Sequence, residues 1–199
     1  MEKNNKKIII SCVVIGFVLL AGIAIALTNS NKTKNNEKLQ NVRDIKNMLK
    51  TIYNNLGDNI PSLDTDEIST DDTEMVKSLT GLETTDMIDS IVVSQPMMNA
   101  QALEVAVIKT RENANINNMM DEIKNNVNMN RWICVSADKL YIASSGDVIF
   151  MVMADSDWAK NIYDEFVKYM DNNIDKTEEK DNSFGEDSSI PSVDIPVAD

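Results

Sequence analysis

The chemistry open to this chain is limited by the absence of histidine from its 199 residues. Without an imidazole group, the sequence excludes Ser-His-Asp and Cys-His nucleophile arrangements, histidine zinc sites and the usual neutral-pH proton shuttle. An enzyme built from these residues would have to use carboxylates, lysine, tyrosine or serine. We predict neither a cofactor nor a metal site.

Glu104 is the candidate catalytic residue, because it is the only charged residue of the apolar segment 102–108. A carboxylate inside a buried strand is costly unless it is paired or hydrogen-bonded, and burial raises its pKa toward that of a useful acid. The alternative is a glutamate at the edge or rim of the sheet that pairs with a lysine. Lys109 is not expected to be that lysine, since strand alternation places it on the opposite face.

The two tryptophans are considered for ligand contact, because an exposed aromatic ring can line a carbohydrate site. Trp132 lies outside the periodic segments and is therefore the candidate binding residue. Its alternative role is packing in the core. Trp158 begins a helical stripe of apolar residues, so we predict that it is structural.

Two further sets of side chains have the types that bind metal ions. An acidic set lies in a segment that lacks the glycine and the ligand spacing of an EF-hand, so a solvated loop is predicted instead. A methionine set has thioethers that suit Cu(I), but most members fall at helix or strand spacing and are predicted to pack in the core. The acidic set is Asp64, Asp66, Asp71, Asp72 and Glu74, and the methionine set is Met97, Met98, Met119, Met120, Met151 and Met153.

Residues 8–27 carry no charge, and a helix of this length spans a hydrocarbon core of about 30 Å. Positive residues are retained in the cytoplasm, and the tail 1–7 contains lysines. We therefore expect a single-pass anchor with residues 1–7 in the cytoplasm and the following chain outside it. A cleaved signal peptide is the alternative, because the Ala-Ile-Ala sequence at 24–26 resembles a cleavage site. Lipidation of Cys12 is disfavoured, since cleavage there leaves most apolar residues on the mature chain.

The net charge limits the partners that the exported part can bind. The number of cysteines limits the disulfides that it can form. The net charge is −13 and the pI is about 4.4, so nucleic acid is not an expected partner. Cys134 is the only cysteine outside the apolar segment, so the domain cannot form an internal disulfide. We expect Cys134 to be a buried thiol at the end of a strand.

Helical and strand-like periodicities alternate along the rest of the sequence. Apolar residues at intervals of three or four predict helices, and β-branched or uninterrupted apolar runs predict strands. Gly57 is expected to end the first helix and Ser156 to cap the last. The predicted helices span 39–56, 74–79, 115–129 and 156–170, and the predicted strands span 88–93, 102–109, 139–144 and 147–154.

This order of elements predicts an α+β domain with an antiparallel sheet of about four strands and helices packed chiefly on one face. The domain is expected to span 58–171, with a loop at 58–73. A polar spacer and an amphipathic helix occupy 28–57, between the predicted transmembrane helix and the domain. Residues 172–199 are polar and acidic, so we predict a disordered tail.

Several structural motifs are similar to those of a bacterial family across roughly residues 60–170. They are Pro96, the strand 104–109, the Ser-Gly-Asp turn at 145–147 before a long apolar strand, and the closing helix through Phe166. In these motifs the chain resembles the domain-of-unknown-function family 4358. The resemblance implies an exported protein that is membrane-anchored or lipid-modified, although this chain lacks a lipobox. It implies no activity and no catalytic residues.

Together these observations predict a membrane-anchored, extracytoplasmic protein that acts as a non-catalytic binding module of the cell envelope. Its expected partners are the membrane, through residues 8–27, and an envelope protein or wall component. A carboxylate-based hydrolase of wall glycan is one alternative, with Glu104 as its acid. A structural spacer is the other.

Overall fold

The computed structural model describes residues 37–98 and 100–182. The predicted anchor at 8–27, most of the spacer and residues 183–199 lie outside these ranges. No helix within the described ranges is long and apolar enough to cross a bilayer.

The described residues form four α-helices and six β-strands. Most predicted elements are present, with boundaries that differ by a few residues. In chain order the elements are α1 (Val42–Leu56), a 3₁₀ turn (Gly57–Asn59), β1 (Leu63–Ile68), α2 (Thr73–Thr80), β2 (Ile88–Pro96), β3 (Glu104–Thr110), α3 (Ile116–Asn126), β4 (Lys139–Ser145), β5 (Val148–Ala154), α4 (Ser156–Tyr169) and β6 (Lys176–Asp181).

All six strands form one antiparallel sheet in the order β1-β2-β3-β5-β4-β6. The predicted neighbours β2 and β3 pair, and β4 and β5 form the predicted hairpin around Gly146. Strands β3 and β5 are buried along their whole length. Their central position explains why both sequences are almost uninterrupted apolar runs.

Helices cover both faces of this sheet, so the prediction of helices chiefly on one face is wrong. Val105 and Val107 pack in a core with α1 and α4. Ala106 and Ile108 point the other way and pack in a second core with α2 and α3. The physical reason is that a central strand with apolar side chains on both faces needs cover on both.

The first strand of the sheet, β1, lies in the segment that we predicted to be a loop. Its acidic residues point outward from an edge strand, where charges hinder pairing with other chains. The side chain of Thr65 faces inward, and its hydroxyl lies 2.7 Å from that of Ser94 on β2. Because the outward side chains of this edge strand are charged and the inward Thr65 is also polar, the sequence of β1 resembles that of a loop.

The last strand, β6, shows that the prediction of disorder is wrong for residues 176–181. It pairs with β4 at the other edge of the sheet. Lys139 on β4 contacts Glu179 and Asp181 at 3.2 and 2.8 Å. The strand has a polar sequence because it is an edge strand whose cross-strand neighbours supply opposite charges.

The chain enters the domain through contacts at one end of the sheet. Lys38 Nζ lies 2.5 Å from an Asp171 carboxylate oxygen, and Leu39 is fully buried. Lys109 Nζ donates to the Leu39 carbonyl at 3.0 Å and to Asp147 at 2.7 Å. These contacts fix the start of α1 beside the β4–β5 hairpin.

Helix ends follow the local signals, with one difference. Gly57 ends α1 as predicted, and Asn41 caps its start. Helix α4 is capped by Asp155 instead of Ser156, because the Asp155 carboxylate accepts hydrogen bonds from the backbone of Asp157 and Trp158. Asp and Ser are comparably good caps, so their adjacency made the choice ambiguous.

Candidate functional site

A groove of about 350 Å³ lies at the end of the sheet where β2 stops and β3 begins. Lys109, which contacts the segment where the chain enters the domain, is at the other end of β3. The groove brings the two candidate residues into one region, since Trp132 lines it and Glu104 lies directly behind two of its lining side chains. The lining residues are Ser78, Gln95, Pro96, Met98, Arg131, Trp132 and Ile133.

Glu104 is completely buried and is held by one carboxylate oxygen. Its Oε2 accepts a hydrogen bond from Gln95 Nε2 at 2.5 Å and lies 2.6 Å from Arg131 Nη1. Its other oxygen, Oε1, has no hydrogen-bond partner in the described structure. The alternative of an edge glutamate paired with a lysine is therefore wrong, because β3 is an inner strand and the partner is an arginine.

Burial raises the pKa of Glu104 to about 7 from an ordinary value of 4.5. The charge of Arg131 and the Gln95 hydrogen bond act in the opposite direction but do not cancel the cost of desolvation. The group therefore titrates near neutral pH. In chemical terms it is a single carboxyl group that exchanges a proton while shielded from solvent.

Arg131 connects the buried carboxylate to the surface. Its Nη1 contacts the Ser78 carbonyl at 3.4 Å in addition to Glu104. Its guanidinium carbon lies 5.3 Å from the centre of the Trp132 ring, within range of a cation–π interaction. Arg131 was not among the predicted site residues, although an arginine next to an unassigned tryptophan was a usable signal.

Gly81 fixes the geometry of the segment that carries Arg131. It ends α2 with φ +80°, and a Cβ there would lie 2.6 Å from the backbone nitrogen of Val127. The side-chain amide nitrogen of Asn126, Nδ2, also donates to the Gly81 carbonyl at 3.2 Å. Only glycine fits this position, because it allows both the left-handed backbone and the close approach of the end of α3.

The rim of the groove is apolar and exposed. Met98 and Ile133 are 65% and 75% exposed, and the neighbouring Met97 is 77% exposed. The ring of Trp132 is half-buried between this rim and the core formed with α2 and α3. We call Met97, Met98, Trp132 and Ile133 the apolar rim.

Cys134 follows the apolar rim and is exposed, so the prediction of a buried thiol is wrong. Its backbone is in the left-handed region, with φ +64°. The residue lies in an irregular segment between α3 and β4, not at a strand end. A strand-like apolar sequence at 133–135 was the source of the error.

The side chains considered for metal binding are distributed over different parts of the fold. Within the described ranges, no group of three aspartate, glutamate, cysteine or histidine residues is placed to hold a metal ion. Asp72 is the N-cap of α2. Four of the methionines, Met119, Met120, Met151 and Met153, pack in the core formed with α2 and α3, whereas Met97 and Met98 are exposed.

Comparison with known proteins finds a family model that matches part of the domain. The family model described as "Domain of unknown function (DUF4358)" matches residues 61–154. The match runs from the segment before β1 to the end of β5, and it includes Glu104, Arg131 and the apolar rim. No curated protein and no solved structure matches this chain.

Proposed function

Residues 61–154 belong to the DUF4358 family, and from that premise we propose that this protein is a non-catalytic binding module whose contact surface is the apolar rim. The partner we propose is an envelope protein that places an apolar segment in the groove. Residues 8–27 would anchor the module in the membrane and keep its domain outside the cytoplasm, as their length and lack of charge favour.

The observation that carries this proposal is the exposure of two large apolar side chains that line one groove, with a third beside them in sequence. Met98 and Ile133 line the groove together with the half-buried ring of Trp132, and Met97 precedes Met98 in the chain. Exposed apolar clusters of this kind mark interaction sites, and tryptophan, methionine and arginine are enriched at protein–protein interfaces. Methionine also adapts its shape to a partner.

The polar groups of the groove favour a protein over a carbohydrate as the partner. The Gln95 amide donates to Glu104, and the Arg131 guanidinium is held by Glu104, the Ser78 carbonyl and the Trp132 ring. Both side chains therefore already have partners within the domain, although their polar atoms still contribute to the lining of the groove. The exposed side chains of Met98 and Ile133 are left to contact apolar side chains of a partner.

The alternative function, hydrolysis of wall glycan, needs two carboxylates about 5 to 10 Å apart beside the substrate. None of the described residues that line the groove is an aspartate or glutamate. Glu104 itself has no exposed surface. This arrangement supports a binding role for the groove over general acid catalysis.

The experiment uses the full chain in its native envelope, with a photo-crosslinking amino acid at position 133. We expect a discrete crosslinked product that contains one envelope protein. The variant Met98→Asp, made in the same background, should abolish this product by placing a charge on the rim. Met87→Asp is the matched control, because Met87 is also exposed but precedes the opposite end of β2.

Two results would overturn the proposal. One is a product that forms equally in Met98→Asp, since binding would then not depend on the rim. The other is release of sugar from purified wall glycan by the full chain that is lost in Glu104→Gln, which would establish the hydrolase.

A further inference from the structure

A second groove of about 630 Å³ lies between the C-terminal half of α1 and strand β1. It belongs to the other face of the sheet, because α1 packs in the core opposite to that of α2 and α3. Most of its walls are polar. The polar lining residues include Lys46, Lys50, Tyr53, Asn54, Asp58, Ser62 and Asp64.

The two lysines of this groove differ from the other lysines of the domain. Every other lysine in the described ranges makes an ion pair or a hydrogen bond. Lys46 and Lys50 make neither within the same part of the chain. They lie one turn apart on the same side of α1, and Arg43 continues the row by a further turn.

This row of cations is unusual in a protein whose net charge is −13. Lys46 and Lys50 have no ion-pair partner among the described residues, but Asp58 and Asp64 line the same groove. An anion bound here would therefore be held by short-range contacts with the two ammonium groups and not by long-range attraction.

The groove also contains a hydroxyl group whose hydrogen bonding is incomplete. The Tyr53 hydroxyl is buried and makes no hydrogen bond of normal geometry in the described structure. Burial raises the pKa of Tyr53 and the Ser94 side chain acts to lower it, while the Ser94 hydroxyl also lies 2.7 Å from that of Thr65. A poorly satisfied buried hydroxyl is costly, and a ligand oxygen that reached it from the groove would remove that cost.

We propose that this groove binds a saccharide that carries an acidic group, with Lys46 and Lys50 contacting the acid and Tyr53 contacting a neighbouring oxygen. Asn54 and Ser62 supply further hydrogen-bonding groups for hydroxyls of the sugar. Asp58 and Asp64 accept hydrogen bonds from hydroxyls and disfavour ligands with densely packed negative charge. The site is separate from the apolar rim, so it does not depend on the function proposed above.

The test is calorimetric titration of the full chain in neutral detergent with four probes. Trigalacturonate carries carboxylates, glucose 1-phosphate carries a phosphate, maltotriose is uncharged, and phosphatidylglycerol vesicles carry phosphates on a lipid surface. We expect at least one acidic sugar to bind, with affinity that falls as salt is added. The acidic sugar that binds identifies the acidic group.

Two variants connect binding to the groove. Lys46→Gln/Lys50→Gln and Tyr53→Phe should each weaken binding by about tenfold or more, the size expected for a hydrogen bond to a charged group. Lys160→Gln/Lys168→Gln is the matched control, because it removes the same charge from exposed positions on α4. Equal binding of maltotriose, binding to the vesicles alone, no binding of either acidic sugar, or unchanged affinity in the groove variants would overturn the proposal.

Discussion

Arg131 Nη1 lies 2.6 Å from Glu104 Oε2, and this contact joins the surface of the domain to the end of an inner strand of its sheet. The carboxylate is fully buried, and the arginine side chain is 20% exposed. The pair therefore connects Glu104 to the residue that precedes Trp132.

Glu104 should make the stability of the domain depend on pH. Its pKa is about 7 in the folded state against an ordinary 4.5. Because the pKa of Glu104 is raised in the folded state, its contribution to stability is fully present below pH 4.5 and is lost as the pH rises to about 7. The difference between the two pKa values corresponds to about 3 kcal/mol of unfolding free energy. Urea unfolding of the wild type at pH 5 and pH 8 should show a loss of this order.

The variant Glu104→Gln removes this titration, so its unfolding free energy should vary much less between the two pH values. Glu112→Gln is the control, since Glu112 is exposed. A wild-type stability that is the same at pH 5 and pH 8 would contradict the assignment.

Removing the arginine should be more harmful than removing the carboxylate. Arg131→Ala leaves a buried carboxylate without its cation, which costs about 3–5 kcal/mol when the group is ionised. The loss should be larger at pH 8 than at pH 5, because Glu104 is mainly protonated at the lower pH. In Arg131→Ala/Glu104→Gln most of the loss should be recovered. A double-mutant cycle in urea measures how much unfolding free energy Arg131→Ala removes in the wild type and in Glu104→Gln. Equal losses in these two backgrounds would show that the pair is not coupled.

The ion pair at the opposite end of β3 provides a second test of buried charge. The side chains of Lys109 and Asp147 are only 10% and 9% exposed. Asp147→Asn should destabilise the domain by about 3–5 kcal/mol, because it leaves the Lys109 ammonium without its anion. The double variant Lys109→Met/Asp147→Asn should be more stable than Asp147→Asn alone. Thermal unfolding compares the two, and a double variant that is less stable contradicts this view of the pair.

The edge strand β6 should be necessary for a stable monomer. Ending the chain at residue 175 removes β6 and exposes the hydrogen-bonding edge of β4. Unpaired edges promote association between chains. We therefore expect a lower unfolding midpoint and larger species in size-exclusion chromatography. A chain that ends at Asn182 is the control and should behave as the full chain does.

The uncharged segment 8–27 should keep the protein in the membrane fraction. We expect the full chain to resist extraction with alkaline carbonate, because a spanning helix is held by its buried apolar area. A chain that starts at residue 28 should be recovered in the soluble fraction. Recovery of the intact full chain from the soluble fraction would contradict the predicted anchor.

Several elements could be predicted because their signals are local. The amphipathic stripe of α1, the glycine that ends α1, and the apolar strands β3 and β5 depend on neighbours in sequence. Strands β1 and β6 were missed for the opposite reason. An edge strand with charged outward residues has no local feature that separates it from a loop, and its partners are distant in sequence.

The candidate site could also be predicted only in part. The burial of Glu104 could be inferred from the apolar residues around it, and its raised pKa from the physics of buried carboxylates. Its partner could not be inferred. Arg131 belongs to a loop beyond α3, and its contact with Glu104 joins residues that are distant in sequence.

The sequence by itself therefore determined the mixed α and β composition, the match of residues 61–154 to a family model, the unusual carboxylate and the uncharged segment 8–27, since each is a matter of residue type and short-range spacing. The tertiary structure decided that the sheet has six strands and helices on both faces, and that Glu104, Arg131 and Trp132 form one site. These properties depend on pairing between distant segments, which is selected by the burial of both faces of the central strands and not by any local preference.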